Sequence, residues 1–228
     1  MKNKLIVAID GPSGAGKSTL SKALASKLDY LNIDTGAMYR SVALLAQQRN
    51  VDPHDEAALK VLCADLTIEF IRGNGTERVI VNGVDVSAEI RTPEVSLLTA
   101  QIAACPAVRE AMLYLQRRMG EKGGVVLEGR DIGTVVFPSA DVKFFLSATA
   151  AERGQRRYEE LLAKGVAVDL QQTIEEVEAR DAADTARTLA PLMQADDAII
   201  VDSTHLSIEE VLQKMLLVIA EKEAELTS

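Results

Sequence analysis

Several large classes of protein are excluded by what this sequence has little of. It has two cysteines, Cys63 and Cys105, among 228 residues. That is too few for a disulfide scaffold, and both read as small buried apolar side chains in a reducing compartment. The only histidines, His54 and His205, rule out a histidine-rich metal site, and a Ser/His/Asp triad unless one of them serves. Both read as loop or surface residues. Long apolar runs are missing too. After Met-Lys-Asn-Lys come five apolar residues, Leu5 to Ile9, before Asp10. A secretory signal needs about 7–15 and a membrane span about 20. Positive charge is in deficit: 25 Lys and Arg against 34 Asp and Glu give a net charge of −9. This argues against broad binding to duplex DNA or to an anionic membrane, yet leaves room for a local basic pocket. There is no internal repeat, low-complexity segment or Pro/Gly/Ser linker. The expectation is a soluble cytoplasmic protein with no nucleic-acid or membrane partner, and nothing in the sequence demands more than a monomer.

What is present points to an α/β chain. Hydrophobic residues make up 47% and charged residues 26%, which is ordinary globular usage, and the chain is long enough to bury a core without staples. Five apolar runs have strand length: Leu5–Ile9, Leu31–Ile33, Val125–Leu127, Val142–Leu146 and Ala198–Val201. Helical patterns lie between them. Continuous apolar strands alternating with helices predict a five-stranded parallel sheet flanked by helices on both faces. Thr149 with Glu152, and Ser207 with Glu210, read as capping boxes. Asp52-Pro53 and Thr92-Pro93 place proline at a first helical position behind a cap. A last amphipathic helix with an acidic solvated face is predicted over about 207–225.

One region breaks the alternation. Thr67–Arg72, Arg78–Asn82 and Val84–Val86 are short and polar-interleaved, joined by Gly-Asn-Gly (73–75) and Asn82-Gly83. Asn-Gly between strands is a hairpin signal. A small antiparallel sheet inserted at about 63–90 follows.

Residues Gly11, Pro12, Ser13, Gly14, Ala15, Gly16, Lys17 and Ser18 match the phosphate-binding pattern G-x-x-x-x-G-K-[ST] in full. A strand-like run precedes them and a helical run, Ser18–Leu28, follows. The glycines let backbone N–H groups converge on a polyphosphate, and the helix N-terminus favours anions. Lys17 suits the β- and γ-phosphates, and the Ser18 hydroxyl suits Mg²⁺. The pattern by itself says only that a nucleoside triphosphate binds. An Asn-Lys-x-Asp motif, which would point to a GTPase, and a Leu-Ser-Gly-Gly-Gln motif, which would point to a transporter ATPase, are both lacking.

Arginines supply the next signal. Arg153, Arg156 and Arg157 cluster beyond the Val142–Leu146 run, and Arg180, Asp184 and Arg187 follow at i, i+4, i+7, one face of a helix. A small flap around Lys164-Gly165 is expected between them. Surface ion pairing, such as Arg180 with Asp184, is the alternative. On an acidic protein, clustered arginines suit a site where phosphates meet, because phosphoryl transfer asks for positive charge on the equatorial oxygens. Gly129-Arg130-Asp131 follow a strand whose end carries Glu128, where α/β sheets bind ligands. Glu128 suits Mg²⁺ through water. Asp131 suits an amino group, or else caps a helix. Arg40 falls about one turn into the helix after Asp34-Thr35-Gly36, facing the cleft. Arg109 lies in the first turn after Pro106, where a cation opposes the helix dipole without local reason and so hints at a ligand.

Taken in order, the loop, Asp-Thr-Gly-Ala-Met-Tyr-Arg (34–40), Glu-Gly-Arg-Asp-Ile-Gly-Thr-Val-Val-Phe-Pro (128–138) and Ala-Arg-Asp-x₂-Asp-x₂-Arg (179–187) resemble bacterial cytidylate kinases over about residues 5–220. That family belongs to the P-loop nucleoside monophosphate kinases, which transfer the γ-phosphoryl group of ATP to CMP or dCMP with Mg²⁺. The resemblance implies a P-loop core of 1–34 and 107–228 and a monophosphate-binding region of 35–106 that includes the insert. It implies a lid at about 153–170 and an adenine-side loop at 202–207. It assigns Gly11 through Ser18 with Thr19 to the ATP phosphates, and Arg153, Arg156 and Arg157 to the ATP lid. Arg40, Arg130 and Arg187 would take the CMP phosphate, Arg109 and Asp131 the cytosine edge, and Arg180 with Asp184 the ribose. Lys17, Arg130, Arg157 and Arg187 would be the catalytic cations. Thr35 stands where some members have Ser and keeps the hydroxyl as a base-side contact, whereas Ala100 stands where Ser is frequent. Two rival readings remain: a shikimate- or gluconate-type kinase, and a nucleotide sensor that never turns over.

Overall fold

The computed structural model describes residues 4–73, 76–163 and 165–226. Part of the expected Gly-Asn-Gly turn, at 74–75, and Lys164 of the expected flap lie outside the described residues. The chain divides into two compact units, Met1–Tyr30 with Gly123–Ser228, and Leu31–Lys122.

Each of the five apolar runs becomes a strand of one sheet: β1 (Ile6–Asp10), β2 (Leu31–Asp34), β6 (Val125–Gly129), β7 (Val142–Ser147) and β8 (Ile199–Asp202), in the order β2-β6-β1-β7-β8. The registers are parallel, for instance Ile9 with Glu128 and with Phe144. The parallel order brings the ends of β1, β6 and β7 to one edge, where the glycine loop, Glu128 and Arg130 follow. In the first unit, α1 (Lys17–Leu28) and the last helix α8 (Ile208–Glu225) pack on the sheet. Leu20 and Leu24 of α1 and Val211, Leu212, Met215 and Ile219 of α8 are buried with Val7, Ile9, Phe144 and Leu146. The spacing of the α8 residues is that of a single helical face. Ser207 caps α8 in a full capping box with Glu210, worth about 1 kcal/mol. Helices α6 (Ala150–Ala163) and α7 (Leu170–Thr185) pack together. At the start of α6, the Glu152 N–H donates to Thr149 Oγ1 at 3.3 Å.

The second unit holds α2 (Thr35–Gln48), α3 (Glu56–Ala64), α4 (Pro93–Ile102), α5 (Pro106–Gly120) and a three-stranded antiparallel sheet of β3 (Ile68–Gly73), β4 (Thr76–Val81) and β5 (Val84–Asp85). Its core is formed by Met38, Val42, Leu59, Ile90, Ile102, Val108 and Met112. Thr92 caps α4 ahead of Pro93 as expected. Asp52-Pro53 does not start a helix. The Asp52 carboxylate instead accepts from the His54 N–H at 2.9 Å, closing a turn, and Asp55 caps α3 through the Ala58 N–H at 3.0 Å. Aspartate before proline suits both arrangements, and here its local side-chain bond won. Cys63 and Cys105 are buried and unpaired. No helix among the described residues is long and apolar enough to cross a membrane.

Candidate active site

In the first unit, the loop between β1 and α1 turns through Gly14 and Gly16 at positive φ, 75° and 91°, a region open to glycine at little cost. Gly14 has a second constraint: a Cβ there would come within 2.9 Å of the Arg153 carbonyl oxygen. Lys17 opens α1 and is buried, its Nζ donating to the Pro12 carbonyl at 2.6 Å. Burial draws its pKa down to about 7, and the neighbouring Arg130 and Arg180 guanidinium groups push the same way, against Glu128 and Asp10. Burial is thus the main cost borne by Lys17, with cations and carboxylates acting on it in opposite directions, and a polyanion would offset that cost.

Arg130 donates from Nε to Asp184 Oδ2 at 2.8 Å, and the other oxygen of Asp184 pairs with Arg187. Asp184 is buried, so one carboxylate orients two guanidinium groups by charge-assisted bonds. The expected shared helix face is only partly realised. Arg180 and Asp184 lie on α7, but the helix ends at Thr185 and Arg187 lies beyond it. The reason is downstream: Ala190 is left-handed, Pro191 follows, and the Leu192 N–H turns back to the Asp184 carbonyl at 2.9 Å.

The Ser18 hydroxyl donates to Glu128 Oε1. This places a hydroxyl and a carboxylate in contact, an all-oxygen donor pair that fits a hard divalent cation which keeps most of its waters. Asp131 does not use its side chain as a helix cap. That duty falls to Asp10, which the sequence reading overlooked. Its two carboxylate oxygens accept the Ile132 and Gly133 N–H groups at 2.8 and 2.7 Å, tying the end of β1 to the Arg130-Asp131 turn. Burial raises the Asp10 pKa to about 6 against these two hydrogen bonds.

The three arginines of α6 differ. Arg153 is buried, donating to the Ser13 and Ala148 carbonyls, each at 2.9 Å, and pairing with Asp181. Arg156 holds Ser203, donating to its hydroxyl at 3.2 Å and its carbonyl at 2.7 Å. Ser203 reaches the Ala15 carbonyl at 3.4 Å, so the 202–207 loop is bonded to the phosphate loop. Arg157 is half-exposed and pairs with Glu160 at 2.9 Å. Asp181 lies within the 179–187 motif and Ser203 within the 202–207 loop, but spacing gave neither its partner, because each bonds to groups brought from far along the chain.

In the second unit, Asp34 is the hub. One oxygen accepts the Ala37 N–H at 2.8 Å and caps α2, and the other pairs with Arg40 at 3.0 Å. Gly36 allows this: a Cβ there would sit 3.1 Å from Asp34 Oδ1 and 3.3 Å from Arg40 Nη1. The buried Nε of Arg40 has no partner among the described residues. Thr35 is buried at the start of α2. Arg109 does have a local reason for its place, contrary to expectation. Its guanidinium lies 5.7 Å from the Tyr39 ring centroid and donates to the Ala103 carbonyl at 3.3 Å. Thr99, beside Ala100, spends its hydroxyl on the Val95 carbonyl at 2.6 Å.

A strand, a glycine loop and a helix around a buried lysine, with arginines held by a buried carboxylate beyond a parallel sheet, define a phosphate-loop phosphotransferase. The comparisons narrow this class. The family model described as cytidylate kinase matches residues 7–221, and the chain belongs to that family. The cytidylate kinase of Syntrophotalea carbinolica is 64% identical over 98% of this chain and 95% of its own length. That of Bacillus subtilis is 48% identical over 97% of this chain and 99% of its own. A solved structure of an uncharacterized protein from Eubacterium ventriosum aligns with TM-score 0.51 at 10% identity, covering 95% of this chain and 99% of that one, a likeness of fold alone. The protein is thus a nucleotide kinase.

Proposed function

We propose that this kinase transfers the γ-phosphoryl group of ATP to CMP or dCMP, giving ADP and CDP or dCDP. The observation that carries the reading is the buried Lys17 that follows the glycine loop, with the buried Asp184 of the same unit orienting Arg130 and Arg187. Positive charge held in place in this way suits a transferring phosphoryl group, and family membership supports a nucleotide as the acceptor.

The donor phosphates are assigned to the loop from Gly11 to Thr19, where Lys17 takes up charge as the polyphosphate binds. Arg130 and Arg187 are assigned to the acceptor phosphate, with Arg180 and Asp184 at the ribose. Asp131 and Arg109 are assigned to the cytosine edge, Thr35 to a minor base-side contact, and Arg40 to the acceptor phosphate. We propose the unit 31–122 as the monophosphate-binding part of the chain. Arg156 and Arg157 are assigned to the ATP side, Arg156 through its hold on Ser203. Ser18 would hold Mg²⁺ directly and Glu128 through water, and the ion when bound neutralises phosphate charge. No protein base is needed: a phosphate monoester has its second pKa near 6, so the acceptor is mostly dianionic at neutral pH. The chain aligns two anions that repel and excludes water. The unpaired, buried Cys63 and Cys105 suit a cytoplasmic setting, and the reading is of a monomer.

The test is an ADP-release assay with ATP, Mg²⁺ and CMP, dCMP, UMP, AMP or GMP in parallel. Strong turnover of CMP and dCMP and weak turnover of UMP is expected. Equal turnover of UMP removes the cytosine-reading role of Asp131 and Arg109, and silence with every monophosphate removes the reaction.

A further inference from the structure

None of the roles above employs Asp181, yet its carboxylate is bonded to the phosphate loop itself. Oδ1 accepts the Ser13 N–H at 3.0 Å, and Oδ2 pairs with Arg153. Arg153 in turn donates to the Ser13 carbonyl at 2.9 Å. One residue of the loop is therefore gripped on both sides, its N–H from α7 and its carbonyl from α6, by two side chains that also bind each other. Gly14 follows immediately, with the Arg153 backbone occupying the space a Cβ would need. Both gripping groups are largely shielded, with side chains 17% exposed for Asp181 and 8% for Arg153.

A carboxylate beside a polyphosphate cradle is a poor choice unless it serves a purpose, because it repels the ligand. Two features reduce that cost and reveal the purpose. The pairing with Arg153 leaves the couple neutral, and the bond falls on Ser13, where it fixes a peptide adjoining a glycine. Gly14 is the residue whose backbone is freest to turn. Amide groups stabilise developing charge only when they are already fixed in place. Asp181 also stands next to Arg180 and three residues before Asp184 on α7, so the same helix carries the grip and the carboxylate that orients Arg130 and Arg187.

From this geometry we infer that Asp181 is a positioning residue: with Arg153 it locks the Ser13–Gly14 segment in its anion-binding conformation and ties it to α7. The inference rests on the phosphoryl-transfer reading for its importance to catalysis, but its physical content is affinity for a polyphosphate, which can be read without turnover.

The test compares wild type with Asp181→Ala and Asp181→Asn, using ADP and CMP separately in calorimetry and following thermal unfolding in parallel. Asn keeps an oxygen for the Ser13 N–H but abandons the charge on Arg153, whereas Ala abandons both. For the Ala variant, ADP affinity is expected to fall about ten- to hundredfold, the range for a buried charge-assisted bond, with a smaller fall for Asn. CMP affinity should stay within about twofold, and KM for ATP should rise more than KM for CMP. Should Ala fail to fold, the Asn variant carries the same comparison. Parallel losses for ADP and CMP, or a lowered unfolding temperature with ADP affinity intact, would overturn the inference by leaving Asp181 a structural residue only. Because ADP binding is measured without an acceptor, a wild type that binds ADP but phosphorylates nothing defeats the proposed reaction and leaves this inference standing.

Discussion

The two units treat their arginines differently. In the first, a single buried carboxylate, Asp184, serves both Arg130 and Arg187. Lys17 is buried, and that burial, aided by Arg130 and Arg180 and opposed by Glu128 and Asp10, lowers its pKa. In the second, Arg40 has Asp34 to itself, and Arg109 stacks on Tyr39. A buried or shared charge stores electrostatic energy for an incoming anion. Charge that is individually matched stores little, and what it offers is geometry. The lesson is that losses in the first unit should appear in the rate of transfer, and losses in the second in the binding of the acceptor.

The most severe way to challenge that contrast is Arg187→Ala. Asp184 would still hold Arg130 at 2.8 Å, so the fold should survive. Turnover is nonetheless expected to fall by about a thousandfold, the scale on which an arginine at a transferring phosphoryl group acts. Near-normal turnover in a variant with an unchanged unfolding temperature would remove Arg187 from the chemistry.

Asp131→Ala sharpens the contrast from within the first unit, since the role proposed for Asp131 is to read the acceptor rather than to drive transfer. KM for CMP should rise about tenfold or more, as for a lost hydrogen bond to a charged group, while KM for ATP stays within about twofold. An equal rise for both substrates would make Asp131 a structural residue of the turn that Asp10 caps.

Gly36→Ala probes the second unit alone. The added methyl would press on Asp34 Oδ1 and Arg40 Nη1, at 3.1 and 3.3 Å, so the carboxylate that caps α2 and the guanidinium it holds must both give by a few tenths of an ångström. A rise of a few-fold in KM for CMP with nearly constant kcat is expected, on the order of 1 kcal/mol. A drop in kcat at unchanged KM would place Arg40 among the transferring groups and dissolve the distinction.

Much of this arrangement was legible in the sequence, and the reason is periodicity. Strands buried on both faces read as unbroken apolar runs, so Leu5–Ile9 and Val142–Leu146 announced themselves, and Asn82-Gly83 announced the hairpin between β4 and β5. The phosphate loop was legible because its glycines are required by backbone geometry. What stayed hidden were the partners of groups that bond distant backbone atoms: Asp10 on Ile132 and Gly133, Asp181 on Ser13, Ser203 on Ala15. Spacing carries no trace of such bonds. The position of Arg187 was misjudged for a related reason. The i, i+7 pattern counts residues and does not see that the helix ends at Thr185 and that the chain folds back to bond the Leu192 N–H to the Asp184 carbonyl.

The finest test of the first unit concerns a single proton. Lys17 is held near pKa 7, against an ordinary value of 10.5, so at pH 8 it is mostly neutral in the free protein. Polyphosphate oxygens favour the charged form and raise its pKa on binding. ADP binding at pH 8 should therefore take up close to one proton, and affinity should weaken as pH rises above about 7. At pH 6 Lys17 is charged in both states and its contribution to the uptake vanishes. Folding carries the opposite sign: between about 7 and 10.5 the unfolded chain holds a proton that the folded chain lacks, so this group favours folding increasingly as pH rises through that window. Calorimetry of ADP in two buffers of different ionisation enthalpy measures the uptake directly, and Lys17→Met should abolish it. Identical heats in both buffers at pH 8 would mean that Lys17 is charged before any anion arrives. Its burial, with Arg130 and Arg180 nearby, would then not set its proton, and the two units would differ only in how their cations are held.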